Sequence, residues 1–169
     1  MTHWHVQHGD IFDVPADGLL CSANPNLNLS GGVGGEFTLR YGCDMQRFLH
    51  RHLADSGAAF LRPGGCVLAP PCGSPYTAVA HAVAVDGFYD TDATRILACY
   101  DLGLRGLAER GCRTITGACL GCGYGRFPED EFAALAKRLF ARCYNGVTDV
   151  WLVTTNATLA DALRSVLAA

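Results

Sequence analysis

The residues CRTITGACLGCGYGRFPEDE, positions 112–131, decide the fold. Cys112 to Ala118 reads as a short buried strand. It feeds a loop, Gly121-Cys122-Gly123-Tyr124-Gly125, too rich in glycine to continue a strand or a helix. Pro128 then fits a first helical turn, because its missing N–H is one that a helix start leaves unpaired anyway. Glu129, Asp130 and Glu131 follow, where negative charge suits the positive end of a helix. Strand, glycine loop and helix make one unit of a crossover fold.

The same alternation continues in both directions. Val150 to Thr154 reads as a strand and Thr158 to Ala169 as a terminal helix. Asp90, Thr91 and Asp92 offer N-caps for a helix that runs to about Arg110 and closes at Gly111. Tyr76 to Val85 predicts a central strand, and Cys66 to Ala69 a shorter one stopped by Pro70 and Pro71. Phe37, Tyr41, Met45, Phe48, Leu49 and Leu53 recur in steps of three and four. That spacing predicts one amphipathic helix from Glu36 to about Asp55, weakened at Gly42. Before it come a flexible loop (Ser30 to Gly35), a buried strand (Asp17 to Ala23) and a weak opening strand (Trp4 to Val6). Such alternation predicts an α/β protein with a mostly parallel sheet covered on both faces.

With 169 residues and no internal repeat or linker, the chain reads as a single domain, 1–169. Hydrophobic residues make up 50% and charged ones 17%, which supports a sizeable core and excludes a disordered chain. A net charge of −3 disfavours nucleic acid as a partner. No apolar run reaches about 18 residues, so no membrane span is expected. The start, Met1-Thr2-His3-Trp4-His5, lacks the apolar stretch of a signal peptide. Nine cysteines is an odd number that cannot all pair internally. Reduced thiols in a cytoplasmic setting are the simplest reading, most of them acting as small buried hydrophobes.

Both glycine loops fall at the carboxyl ends of strands, where α/β sheets bind ligands. Glycine lets the backbone approach a ligand, and successive N–H groups can then cradle an anion. The helix start at Pro128 adds a favourable dipole. No Gly-Lys-Ser/Thr follows either loop, and G-x-G-x-x-G is not met after the first strand. Neither a mononucleotide P-loop nor a dinucleotide fingerprint is therefore present. Each loop alone is consistent with an ordinary turn; the pair, with Asn24 between strand and loop, points to an anionic ligand.

These residues resemble the macrodomains, a family that binds ADP-ribose. The resemblance rests on Gly9-Asp10-Ile11, on Cys21-Ser22-Ala23-Asn24, and on Leu27 with Gly31-Gly32-Val33. It extends through His81-Ala82-Val83-Ala84-Val85 and Gly121 to Pro128, spanning about Gly9 to Asn156. It implies a three-layer α/β/α sandwich with a central mixed, mostly parallel sheet. It also implies a cleft for ADP-ribose or an ADP-ribosylated molecule; no cofactor is expected, and no metal, because the extra Cys and His that zinc-carrying branches have in the first loop are absent. Asp10, with the Ile11 amide, would meet the adenine amino group. Asn24 would meet the distal ribose, with Gly32, Val33 and Gly34 along that ribose and its phosphate. Gly121, Cys122, Gly123, Tyr124 and Gly125 would supply diphosphate amides. Phe127 would flank the distal ribose. Thr155 and Asn156 follow the last strand, where relatives often carry an aromatic against adenine.

Two departures bear on catalysis. Cys21 stands where the family has its first asparagine. Gly34 stands where hydrolytic branches carry an aspartate that would position a water. Asn24 and Glu36 are the remaining catalytic candidates, and Glu36 also suits a helix start on dipole grounds alone. Two other readings stay open: a hydrolase of ADP-ribosyl or O-acetyl-ADP-ribose esters, and a protein-interaction domain with a degenerate cleft. Cys119 and Cys122 have C-x-x-C spacing, but the pair straddles a loop and has no second pair to complete a zinc site. His81, in the most apolar run, is expected to be buried and hydrogen-bonded. The sequence leaves the oligomeric state open.

Overall fold

The apolar runs read from the sequence become the strands of one sheet. A computed structural model describes residues 1–169. The strands are β1 (His3–His8), β2 (Gly18–Ser22), β3 (Cys66–Ala69), β4 (Ala78–Ala82), β5 (Thr114–Ala118) and β6 (Asp149–Thr154). Their order is β1-β6-β5-β2-β4-β3. All neighbours are parallel except β3, which runs antiparallel to β4. The helices are α1 (Gly32–Tyr41), α2 (Asp44–Ser56), α3 (Ala93–Glu109), α4 (Glu129–Phe140) and α5 (Ala157–Leu167). Helices α3, α4 and α5 pack in series as one layer; α1 and α2 form the other, as the sandwich requires.

Helix ends follow the local chemistry. The Asp92 side chain accepts from Arg95 N–H at 2.9 Å and caps α3. The Asn156 side chain accepts from Leu159 N–H at 3.1 Å and caps α5. Asp17 lies just before β2 and accepts the N–H groups of Arg113 and Thr114, each at 2.9 Å. Those two bonds hold its carboxyl below the usual range and lock β2 beside β5.

Several boundaries differ from the sequence reading. The helix expected from Glu36 to Asp55 is two helices. Gly42 takes φ +86°, a left-handed value that ends α1, and its N–H closes on the Thr38 carbonyl at 2.9 Å. The glycine run expected to be a flexible loop starts α1 at Gly32, so Glu36 lies in the second turn rather than at the helix start. Within the Tyr76–Val85 run the regular strand is only Ala78–Ala82. Helix α4 ends at Phe140, and the chain turns there so that Phe140 and Tyr144 both pack on Trp4.

His81 sits in β4 between Cys21 of β2 and Val67 of β3. It is fully buried, and neither ring nitrogen has a hydrogen-bond partner. The expected burial is there, but the expected hydrogen bond is not. Burial without a partner disfavours the charged ring and pulls its pKa down to about 4.

Candidate functional site

Strands β6, β5, β2 and β4 run parallel, so their carboxyl ends share one edge of the sheet. A cleft of about 860 Å³ lies along that edge. At the β6 end it is lined by Asp10, Ile11 and Phe12 with Thr154, Thr155 and Asn156. In the middle lie Ser22, Ala23 and Asn24 with Ala118, Cys119, Gly121 and Cys122. At the β4 end lie Ala84, Val85 and Tyr89, with Gly31 to Gly34 and Tyr124 above them. Every residue named from the sequence for ligand contact lines the cleft except Phe127. Phe127 packs into the hydrophobic core, because its N–H is drawn onto the Gly121 carbonyl at 3.1 Å.

The two glycine segments present unpaired amides. The first backbone bond of α1 is Gly35 N–H to Gly31 O at 3.1 Å, so Gly32, Val33 and Gly34 keep their N–H groups free. In the other loop, the amides of Gly123, Tyr124, Gly125 and Arg126 donate to no protein acceptor. Cys122 departs from expectation: its N–H donates to Cys119 O at 3.3 Å. That bond closes a turn with Gly121 at φ +82°, the left-handed third position of a type II turn. The loop folds back so tightly that a Cβ on Gly125 would lie 2.4 Å from the Gly121 carbonyl oxygen. Gly123 has open space around it instead. Tyr124 crosses to the opposite segment, its hydroxyl 2.9 Å from where a Cβ on Gly31 would sit.

The carboxylates that line the cleft are all engaged. Asp10 Oδ1 accepts from Phe12 N–H at 2.9 Å, and Asp10 Oδ2 accepts from Arg40 Nη2 at 2.8 Å. Arg40 Nε donates to Glu36 Oε1 at 2.7 Å, and its guanidinium lies 4.9 Å from the Phe12 ring centre. Glu129 accepts from the Asn156 side chain. Asn24 is spent on its own loop, donating to Asn28 O at 2.7 Å and accepting from Asn28 N–H at 3.1 Å. Gln46 of α2 braces the same loop through the Leu27 carbonyl and the Leu29 amide.

Gly34 is buried inside α1, and a Cβ there would lie 2.9 Å from Leu29 Cδ2 and 3.3 Å from Leu29 Cα. A side chain at this position would press on Leu29, which would have to shift to admit the aspartate of the hydrolytic pattern. The thiol chemistry left open by the C-x-x-C spacing is answered by burial, which pushes the Cys122 thiol up to about 12, with the Glu129 charge adding to it. Burial raises the Cys119 thiol as well. Both thiols stay protonated near neutral pH, unlike those of a redox-active pair.

Sequence reasoning missed Phe12, Tyr89 and Glu129 as lining residues. Phe12 directly follows the Gly9-Asp10-Ile11 segment and was within reach of that signal. Tyr89 carries no local pattern that marks it.

Residues 21–136 match the Macro domain family model, which is more than half of the chain, and the chain belongs to that family. It is 29% identical over 171 residues to a macro domain-containing protein of Streptomyces coelicolor, covering 98% of each chain. Its fold matches the Oceanobacillus iheyensis macrodomain solved with ADP (TM-score 0.84, 19% identity, 96% of this chain and 88% of that one). It also matches the Trypanosoma brucei macrodomain in complex with ADP-ribose (TM-score 0.76, 20% identity, 96% of this chain and 68% of that one).

Proposed function

We propose that the cleft binds ADP-ribose, free or as an ADP-ribosyl group on a larger molecule. The observation that carries this reading is the two sets of unpaired amides, at Gly32–Gly34 and at 123–126, on segments that Tyr124 brings together. Backbone donors at a helix N-terminus and in a glycine loop hold a diphosphate without a lysine. The volume of about 860 Å³ suits a dinucleotide-sized ligand. Asp10, Ile11 and Phe12 at the β6 end suit an adenine, with Phe12 offering an apolar face where Thr155 and Asn156 offer none. The relatives solved with ADP and ADP-ribose support the same ligand class.

Binding is favoured over hydrolysis. Asp10, Glu36 and Glu129 are each already held by a protein donor, and the position of the hydrolytic aspartate is Gly34. Glu36 is drawn towards Arg40 and Glu129 towards Asn156, and nothing else in the cleft orients either as a general base. The protein is thus read as a reader or sensor of ADP-ribose. Free thiols at all nine cysteines suit a reducing, cytoplasmic setting. No helix is long and apolar enough to cross a membrane.

Calorimetry tests the reading. ADP-ribose is expected to bind, and Asp10→Asn to weaken ADP-ribose more than ribose 5-phosphate. No heat at high micromolar ADP-ribose with a folded protein refutes it.

A further inference from the structure

The cleft does not end at the ribose. At the β4 end Tyr89 lines the wall, and its ring centre lies 6.5 Å from that of Tyr124, with the planes tilted 44°. Both rings are open to solvent, Tyr124 at 72% and Tyr89 at 46%. The loop that carries Tyr89 is fixed by Asp86. Its Oδ1 accepts from Phe88 N–H at 2.8 Å and Asp90 N–H at 3.0 Å, and its carbonyl accepts from Tyr89 N–H at 3.1 Å. Those bonds hold Tyr89 at φ +66°, a left-handed value that a bulky residue seldom adopts. The loop thus keeps an aromatic ring at the mouth against its backbone preference. The turn that carries Tyr89 is itself negative, while Arg126, exposed and without an ion pair, lies two residues beyond Tyr124. Arg95 is taken by Asp92 at 3.3 Å and Asp86 at 3.9 Å, while Asp90 is exposed and has no ion-pair partner.

We infer that Tyr89 and Tyr124, with Asp90, form a subsite for a planar, delocalised cation attached to the anomeric carbon of the distal ribose. The inference rests on the proposed ADP-ribose orientation, which puts that carbon at the β4 end. Aromatic faces attract such cations through their negative quadrupole, and a free carboxylate adds to the attraction. Two ligands carry this chemistry: the pyridinium of NAD⁺ and the guanidinium of ADP-ribosylated arginine. A neutral substituent of the same shape gains neither interaction.

The pair NAD⁺ and NADH separates charge from shape, and ADP-ribosyl-arginine against free ADP-ribose tests the guanidinium. The wild-type protein is expected to bind the cationic member of a pair about two- to five-fold more tightly, the range for exposed cation–π contacts. Tyr124→Leu and Tyr89→Asn bring that ratio towards one, and Asp90→Asn reduces it. Thermal melts check that each variant is folded. Preference in the first pair alone assigns the subsite to a pyridinium nucleotide; preference in the second alone assigns it to a guanidino adduct. Binding of ADP-ribose with no preference in either pair overturns the subsite and leaves the proposed function standing. Failure to bind ADP-ribose, NAD⁺ or ADP-ribosyl-arginine overturns both.

Discussion

Acid unfolding will report on His81. In the folded protein this ring is fully buried, has no partner at either nitrogen and titrates at about 4. In the unfolded chain it titrates near the ordinary 6.5. The folded state therefore binds fewer protons than the unfolded state between these values, and stability falls as pH falls through that window. Above 6.5 the ring is neutral in both states and costs nothing. From 6.5 to about 4 the loss approaches 1.36 kcal/mol per pH unit, or about 3 kcal/mol in all. Between pH 7 and pH 4.5 the share is about 2 kcal/mol. Asp17, Asp86 and Asp149 have lowered carboxyl values, so their stabilisation fades mainly as pH falls through the ordinary carboxylate value of 3.8, below the range scanned for His81. Urea unfolding at half-unit steps from pH 7.5 to 4.5 measures the slope. His81→Leu and His81→Gln remove the titrating ring, one with an apolar and one with a polar neutral side chain. Both variants are expected to lose stability less steeply than the wild type, whatever their stability at pH 7.5. Parallel slopes for all three proteins would refute the assignment of a neutral, unpartnered His81.

Other perturbations give equally direct readings. Gly125→Ala forces a Cβ to 2.4 Å from the Gly121 oxygen, so it should cost about 1–3 kcal/mol in a thermal or urea melt and weaken ADP-ribose binding. Gly123→Ala enters open space and should leave stability within about 0.5 kcal/mol. Gly34→Asp collides with Leu29 and should destabilise by about 1–3 kcal/mol, partly relieved in the double variant with Leu29→Ala; an unchanged melt would show that α1 yields easily. Iodoacetamide at neutral pH, followed by mass spectrometry, should label exposed Cys43 and Cys143 first and spare Cys119 and Cys122, whose thiols burial keeps protonated.

The inner strands were legible because they are short apolar runs bounded by polar or breaker residues; β1, HWHVQH, alternates with polar side chains and gave only a weak signal over Trp4 to Val6. The division between α1 and α2 was not, because Phe37, Tyr41, Met45 and Leu49 continue a spacing of four across Gly42 and Cys43. Periodicity reports which side chains face the core, and it survives a break that keeps the face. The glycine run at 31–35 read as a loop because glycine disfavours helix interiors; the helix nonetheless starts there, since Gly34 packs tightly on Leu29. At the site, the loops and Asp10 were legible from local pattern. The engagement of the carboxylates was not, because Arg40 reaches Asp10 across 30 positions of chain. Tyr89 likewise reaches the cleft only through the turn that Asp86 ties.

Helix α1 joins the two ends of the cleft. Its first residues offer amides beside Tyr124, and near its last turn Arg40 grips Asp10. Ten residues at 1.5 Å each make a rod of about 15 Å. A group that pulls on one end of the rod moves the other. Halves of a ligand, each binding alone, must then each reposition the same rod, while the whole ligand does so once. Fragments offered to this cleft are therefore expected to bind non-additively, and the deficit measures the stiffness of α1.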